Sequence, residues 1–142
     1  LDYPYRKALT GLSYGVSASY EKSLSQLLFV SLALTGARLA AQDPSYSTWV
    51  AGTQFLASRD LGRVAAFGGV NYSHLESDVA LALFQRRRSE DFVEVYAGIS
   101  AARLAFHGFA PSAKLTYASN ASTIAVYAFR ATRVDLAISR SF

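Results

Sequence analysis

"GLSYGVSASY", residues 11–20, sets Leu12, Tyr14, Val16, Ala18 and Tyr20 against Gly11, Ser13, Gly15, Ser17 and Ser19. Large and small side chains alternate with a period of two, which places successive residues on opposite sides of an extended chain. No charge interrupts the pattern. Residues 8–20, 23–37, 44–58, 64–75, 95–102 and 115–129 contain no Asp, Glu, Lys or Arg, and the charges gather between these blocks. The alternation returns with Leu28, Val30, Leu32 and Leu34 against Ser31, Ala33 and Thr35, and with Val93, Val95, Ala97 and Ile99 against Glu94, Tyr96, Gly98 and Ser100. Ala113, Leu115 and Tyr117 stand likewise against Lys114 and Thr116. Seven strands are predicted near 9–21, 25–37, 48–58, 63–73, 91–102, 109–118 and 126–142.

Composition narrows what such strands can build. Of the 142 residues 51% are hydrophobic, 13% aromatic and only 17% charged, which excludes disorder and gives a heavy aromatic load for a soluble domain. No run approaches the roughly 18 apolar residues of a membrane-spanning helix, and residues 1–8 lack the order of a signal peptide. A chain of this kind enters a membrane as strands. The absence of cysteine excludes thiol chemistry and disulfides and fits an extracytoplasmic compartment. A net charge of +4, organised along no helical face, points to anionic surfaces more than to nucleic acid.

Two architectures share this alternation. A soluble barrel or sandwich needs a wet outer face carrying Lys, Glu and Thr in quantity, whereas this chain offers mainly Gly, Ser and Ala opposite its large side chains. A transmembrane β-barrel inverts the arrangement, turning large apolar residues to lipid and small or polar ones to the lumen. Each block is about as long as the roughly 9–11 tilted residues of a transmembrane strand. Tyr20, Trp49, Tyr72, Phe92, Phe106 and Phe109 fall near predicted strand ends, where an aromatic girdle would lie. The predicted connections 119–125, 103–108, 74–90, 59–62, 38–47 and 22–24 alternate longer and shorter, as external loops and periplasmic turns do. The fold expected is all-β: an antiparallel transmembrane β-barrel in the bacterial outer membrane, one domain over residues 1–142. Seven strands cannot close a bacterial single-chain barrel, and open backbone in lipid costs several kcal/mol per group, so these strands are expected to be part of a larger barrel.

Three stretches carry a further signal: "FQRRRSED" at 84–91, "FHGFAP" at 106–111 and "YASNASTIAVYAFRATRVDLAISRSF" at 117–142. They resemble the C-terminal barrel of the surface lipoprotein assembly modifiers, the Slam proteins. Ser122, Ile124, Val126, Tyr127, Phe129, Arg133 and Phe142 fall at positions matching that family's final hairpin. Thr123 and Ala125 replace its usual Asn and Pro, and Ala128 and Arg130 stand where acidic residues are common. The resemblance implies the C-terminal half of a fourteen-strand Gram-negative outer-membrane barrel that helps lipoproteins or secreted proteins reach the cell surface. A general porin or solute channel is the alternative.

The expected roles follow. Val134, Leu136, Ile138 and Phe142 form the lipid-facing row of the terminal strand, the edge recognised by the outer-membrane assembly machinery, with Arg140 as a snorkelling misfit; a soluble strand with a buried end is the competing reading. Arg86, Arg87 and Arg88 are an external rim, which either binds lipopolysaccharide phosphates or pairs with Glu90 and Asp91. Glu94, Lys114 and Asp135 are lumen candidates. His74 with Ser73, Glu76 and Asp78 offers hydrolytic residue types in a loop, but adjacency in sequence does not define catalytic geometry, and a solvated loop is the plainer reading. His107 is assigned to the interfacial belt. No enzyme activity, cofactor, metal site or nucleic-acid partner is expected; the partners expected are outer-membrane lipids, lipopolysaccharide, a surface or secreted cargo protein and the assembly machinery.

Overall fold

A computed structural model describes residues 10–101 and 109–140, for Arg140 the backbone alone. The charge-free alternating blocks become strands β1 Gly11–Ser23, β2 Leu28–Ala41, β3 Thr48–Asp60, β4 Ala65–Leu81, β5 Arg86–Ser100, β6 Phe109–Ser122 and β7 Phe129–Arg140. Each pairs antiparallel with the next in the chain, giving one seven-stranded sheet in the order β1 to β7. The sheet is open, with β1 and β7 as its edges; it is not closed into a barrel. Phe106, His107 and Phe142 lie outside the described residues.

The largest departure from the sequence reading is at 74–90, expected as a loop. Strand continues through it: β4 runs to Leu81, β5 begins at Arg86, and a four-residue turn, 82–85, joins them. The Leu81 carbonyl accepts from the N–H groups of Phe84 and Gln85, and Gln85 takes the left-handed conformation that closes the turn. The charged side chains here do not oppose strand formation, because ladder hydrogen bonds use only backbone, and Asp78, Arg88, Glu90 and Asp91 each find a polar partner across or along the sheet. Between Glu76 and Ala80 the ladder carries a β-bulge, stabilised by Ser77, whose hydroxyl accepts from Arg88 N–H at 2.9 Å and donates to the Val79 carbonyl.

Register assigns every side chain to one of two faces. On one face Tyr20, Leu32, Phe55, Val70, Val95, Tyr117 and Thr132 lie side by side across all seven strands. Lys22, Val30, Ala57, Gly68, Ala97, Leu115 and Val134 form the adjoining row. The other face carries rows such as Ser19, Ala33, Gln54, Asn71, Glu94, Ala118 and Ala131. Among the described residues no second layer covers either face, and the buried hydrophobic set is only Leu81, Ala110 and Ile124. Yet Thr116 is 4% exposed, and Asn120 and Glu90 7%, all on the second face. Among the described residues it is neighbouring side chains on that face that shield them.

Candidate functional site

Three arrangements are candidates: the apolar face, the polar face and the β4–β5 hairpin. On the apolar face Leu12, Val16, Leu32, Leu34, Phe55, Val70, Val95, Ile99 and Leu115 are all exposed. Of the strand residues with large exposed apolar side chains in the ladders, Phe129 is the exception that lies opposite. Burying such a band is worth roughly 25 cal/mol per Å2, so the band demands an apolar partner. Charges mark its ends. Arg38, His74, Glu76 and Asp91 lie at one end with Tyr14, Trp49 and Tyr72, while Lys22, Arg59 and Phe109 lie toward the other. Val134, Leu136 and Ile138, the expected terminal row, share this face and are exposed.

The first end is tied across strands. Asp91 accepts from the Tyr72 hydroxyl at 2.7 Å and pairs with His74 Nδ1 at 2.9 Å, while the Trp49 and His74 rings lie 5.4 Å apart. Residues 73–78 are thus strand and not the solvated loop expected. Ser73 and His74 project from opposite faces because they are consecutive in a strand, and the partner of His74 is Asp91, on the neighbouring strand. Phe92, placed in the girdle by its position near a strand end, instead points to the polar face, where its ring lies 6.3 Å from that of Phe129.

Glu94, Lys114 and Asp135, expected to act together, do share the polar face. Lys114 Nζ lies 3.8 Å from Asp135 and 5.7 Å from the Tyr96 ring centre, Arg133 Nε is 3.0 Å from Asp135, and Asn71 Nδ2 donates to Glu94 at 2.8 Å. Alternation had put Tyr96 on this side with Glu94, but Asn71 and Arg133 were not picked out for this face by the sequence, because their neighbours come from register, which a single sequence does not fix. Asn71 Oδ1 and Thr116 Oγ1 are buried there without a partner among the described residues, so the face keeps spare hydrogen-bonding capacity. The lining is bulkier than expected: Phe29, Leu56, Phe67, Leu75, Phe92 and Tyr96 also point this way, half-buried. Two of these rings lie over glycines opposite them, Phe67 over Gly98 and Tyr96 over Gly69, filling the space that a missing side chain leaves.

The β4–β5 hairpin projects past the apolar band and is held from both sides. A 3-10 turn, Pro44–Tyr46, capped by Asp43, packs against β4, and the Asp78 N–H donates to the Ser47 carbonyl. The bulge lets Asp78 reach over β3 to Arg38, which holds it with both terminal nitrogens. On the other side Thr123 accepts from Ser89 N–H and donates to the Arg87 carbonyl. The second 3-10 turn, Ala125–Tyr127, is fixed by Asn120 donating to the Tyr127 carbonyl, and Arg88 sits 4.1 Å above the Tyr127 ring.

Of the pairings considered for the arginine triplet, the one with Glu90 is present and is made by Arg88, while Asp91 pairs with His74. Arg88 pairs with Glu90 at 2.6 Å and is half-buried, whereas Arg86 and Arg87 are exposed and make no ion pair among the described residues. All three begin a strand and are not part of a loop.

The hairpin extension is acid-sensitive by construction. Hydrogen bonding from Arg38 holds the Asp78 carboxyl below its ordinary range. Burial pushes Glu90 up, but hydrogen bonds from Arg88, Asn120 and Ser122, with the Arg88 charge, outweigh it and leave Glu90 low. Both groups bind protons less tightly folded than unfolded, so their stabilisation is complete above the ordinary carboxylate range of about 4 and is lost as pH falls through the lower folded values. Between pH 7 and about 3, amide exchange corrected for intrinsic rate is expected to rise several-fold in residues 77–90 before it rises in β1 and β2. A uniform rise along the chain would show that these carboxylates do not hold the extension.

These features define an all-β protein: one antiparallel meander sheet with an apolar face, a polar face and a buttressed hairpin. No protein-family model, curated protein or solved structure matches the chain.

Proposed function

We propose that this chain is part of a bacterial outer-membrane β-barrel that assists the translocation or surface display of lipoproteins or secreted proteins. The observation that carries the membrane half of this reading is the exposed apolar band, continuous across seven strands and bounded by charges and aromatics. A single uncovered layer cannot bury such a band against itself, and acyl chains cover it with no second layer. The polar face would then enclose the lumen, with Glu94, Lys114, Asp135 and Arg133 setting its electrostatics. The two open edges suit a larger barrel, of which these strands would be half.

The display function rests on the resemblance of 84–91 and 117–142 to the Slam proteins. Cells lacking the full-length protein are expected to retain its cargo inside, measured as lost protease accessibility of surface lipoproteins, and re-expression is expected to restore it. Unchanged display removes the function and leaves a barrel whose charged polar face favours a solute channel, which conductance across planar bilayers would test. Trp49, the one tryptophan in these 142 residues, checks the membrane half by itself. It lies on the apolar face beside Arg38 and Glu76, so its emission is expected to be quenched by brominated lipid.

A further inference from the structure

We propose that the tip of the β4–β5 hairpin is a docking site for a polypeptide segment that is both acidic and apolar. The inference deepens the translocation reading and rests on its membrane placement. Four side chains make the site. Leu83 is 84% exposed and Phe84 39%, and both sit in the turn whose closure is set by the paired bonds to the Leu81 carbonyl and by the left-handed Gln85. Arg86 and Arg87 follow at once and project to opposite sides of the ribbon, because they are consecutive strand residues. Asp78, whose charge Arg87 also feels, is already held by Arg38, and Glu90 is already held by Arg88. One guanidinium on each side of the ribbon therefore remains for carboxylates of an outside segment, which its planar fork suits.

Rigidity and position decide the occupant. Both flanks of the hairpin are fastened to 3-10 turns, so the tip loses little freedom on binding, and the cost of ordering is met in the fold. Lipid is the rival occupant for an apolar and basic tip. From the Tyr72–Val93 pair to the Leu81–Arg86 pair, however, the ladder climbs seven residues of β5, about 23 Å at about 3.3 Å per residue. A tilt of about 45° leaves roughly 16 Å of height above Tyr72. Acyl chains do not reach that far, so water would surround Leu83 and Phe84 unless a protein covers them.

The test uses the full-length protein in phosphatidylcholine nanodiscs and a fluorescein-labelled peptide of alternating Leu and Glu, read by anisotropy. The peptide is expected to bind, and a Leu/Lys peptide is not. Arg86→Glu with Arg87→Glu, and separately Leu83→Ser with Phe84→Ser, are expected to weaken binding at least ten-fold; these residues are exposed, and Trp49 emission checks that each variant folds. Absence of binding, or equal binding by the charge-reversed variant, overturns the proposal. A second arm places the tryptophan of Leu83→Trp in a background in which Trp49 and every other tryptophan of the full-length protein are Phe, in phosphatidylglycerol nanodiscs with brominated chains. Unquenched emission is expected, and strong quenching would assign the tip to lipid and overturn the proposal. If brominated lipid fails to quench Trp49 in the unmutated chain, the membrane reading fails while the peptide result still stands or falls on the tip.

Discussion

Val95→Arg is expected to remove about 2–4 kcal/mol from the stability of the membrane-inserted protein, the cost of a cation at the bilayer midplane. Val95 stands in the middle of the apolar face, flanked by Val70 and Tyr117 on the neighbouring strands. It is 44% exposed in the sheet itself, so in water the same substitution would cost about 0.5 kcal/mol or less, as surface changes do. The difference between these two values isolates the environment from the fold. Ser19→Arg, exposed on the opposite face, supplies the comparison and is expected to cost under about 1 kcal/mol, since lumen substitutions tune selectivity more than stability. Denaturant unfolding from lipid vesicles, followed by Trp49 emission, measures both variants. If Val95→Arg and Ser19→Arg are equally mild, acyl chains do not cover the apolar face and the membrane reading is lost.

The second large effect is expected from a single methyl group. At Gly98 an added Cβ would fall 2.5 Å from Phe67 Cζ and 2.7 Å from the Ala113 carbonyl oxygen. At Gly69 it would fall 2.5 Å from the Tyr96 hydroxyl and 2.6 Å from the Phe55 carbonyl oxygen. A ring tip could swing away, but the backbone oxygens belong to neighbouring strands and move only if the sheet does. Gly98→Ala and Gly69→Ala are each expected to cost about 3 kcal/mol, the upper part of the usual overpacking range. Gly36→Ala is the contrast, because its Cβ would meet nothing closer than Val16 Cγ1 at 3.8 Å. There alanine is expected to be neutral or to stabilise by up to about 1 kcal/mol, through the lower backbone entropy of the unfolded chain. Equal effects at all three positions would mean that the aromatic cover over Gly69 and Gly98 does not hold those strands in place.

These glycines show where single-sequence reasoning stops. Gly69 and Gly98 are visible as small residues on the polar side of their strands. That Tyr96 and Phe67 lie over them depends on register, and a slip of one residue would move both rings to the other face. The segment 74–90 shows a different failure. Its charges were taken for solvated loop, yet "HLESDVALALFQRRRSE" contains no Gly or Pro, the strongest breakers of a strand, and that absence was a usable signal for continued strand.

What the sequence by itself determined is the set of strands, their alternation and the segregation of large apolar from small and polar side chains. Each of these follows from the geometry of one extended chain with a repeat of two residues. Only the tertiary structure decided that Arg88 is held by Glu90 and Tyr127 while Arg86 and Arg87 stay exposed, that Asp91 is the partner of His74, and that Asp78 reaches Arg38 across an intervening strand. Those pairings join residues 2 to 40 positions apart. They were set by ladder register and by one bulge, properties of the paired strands that neither strand carries alone.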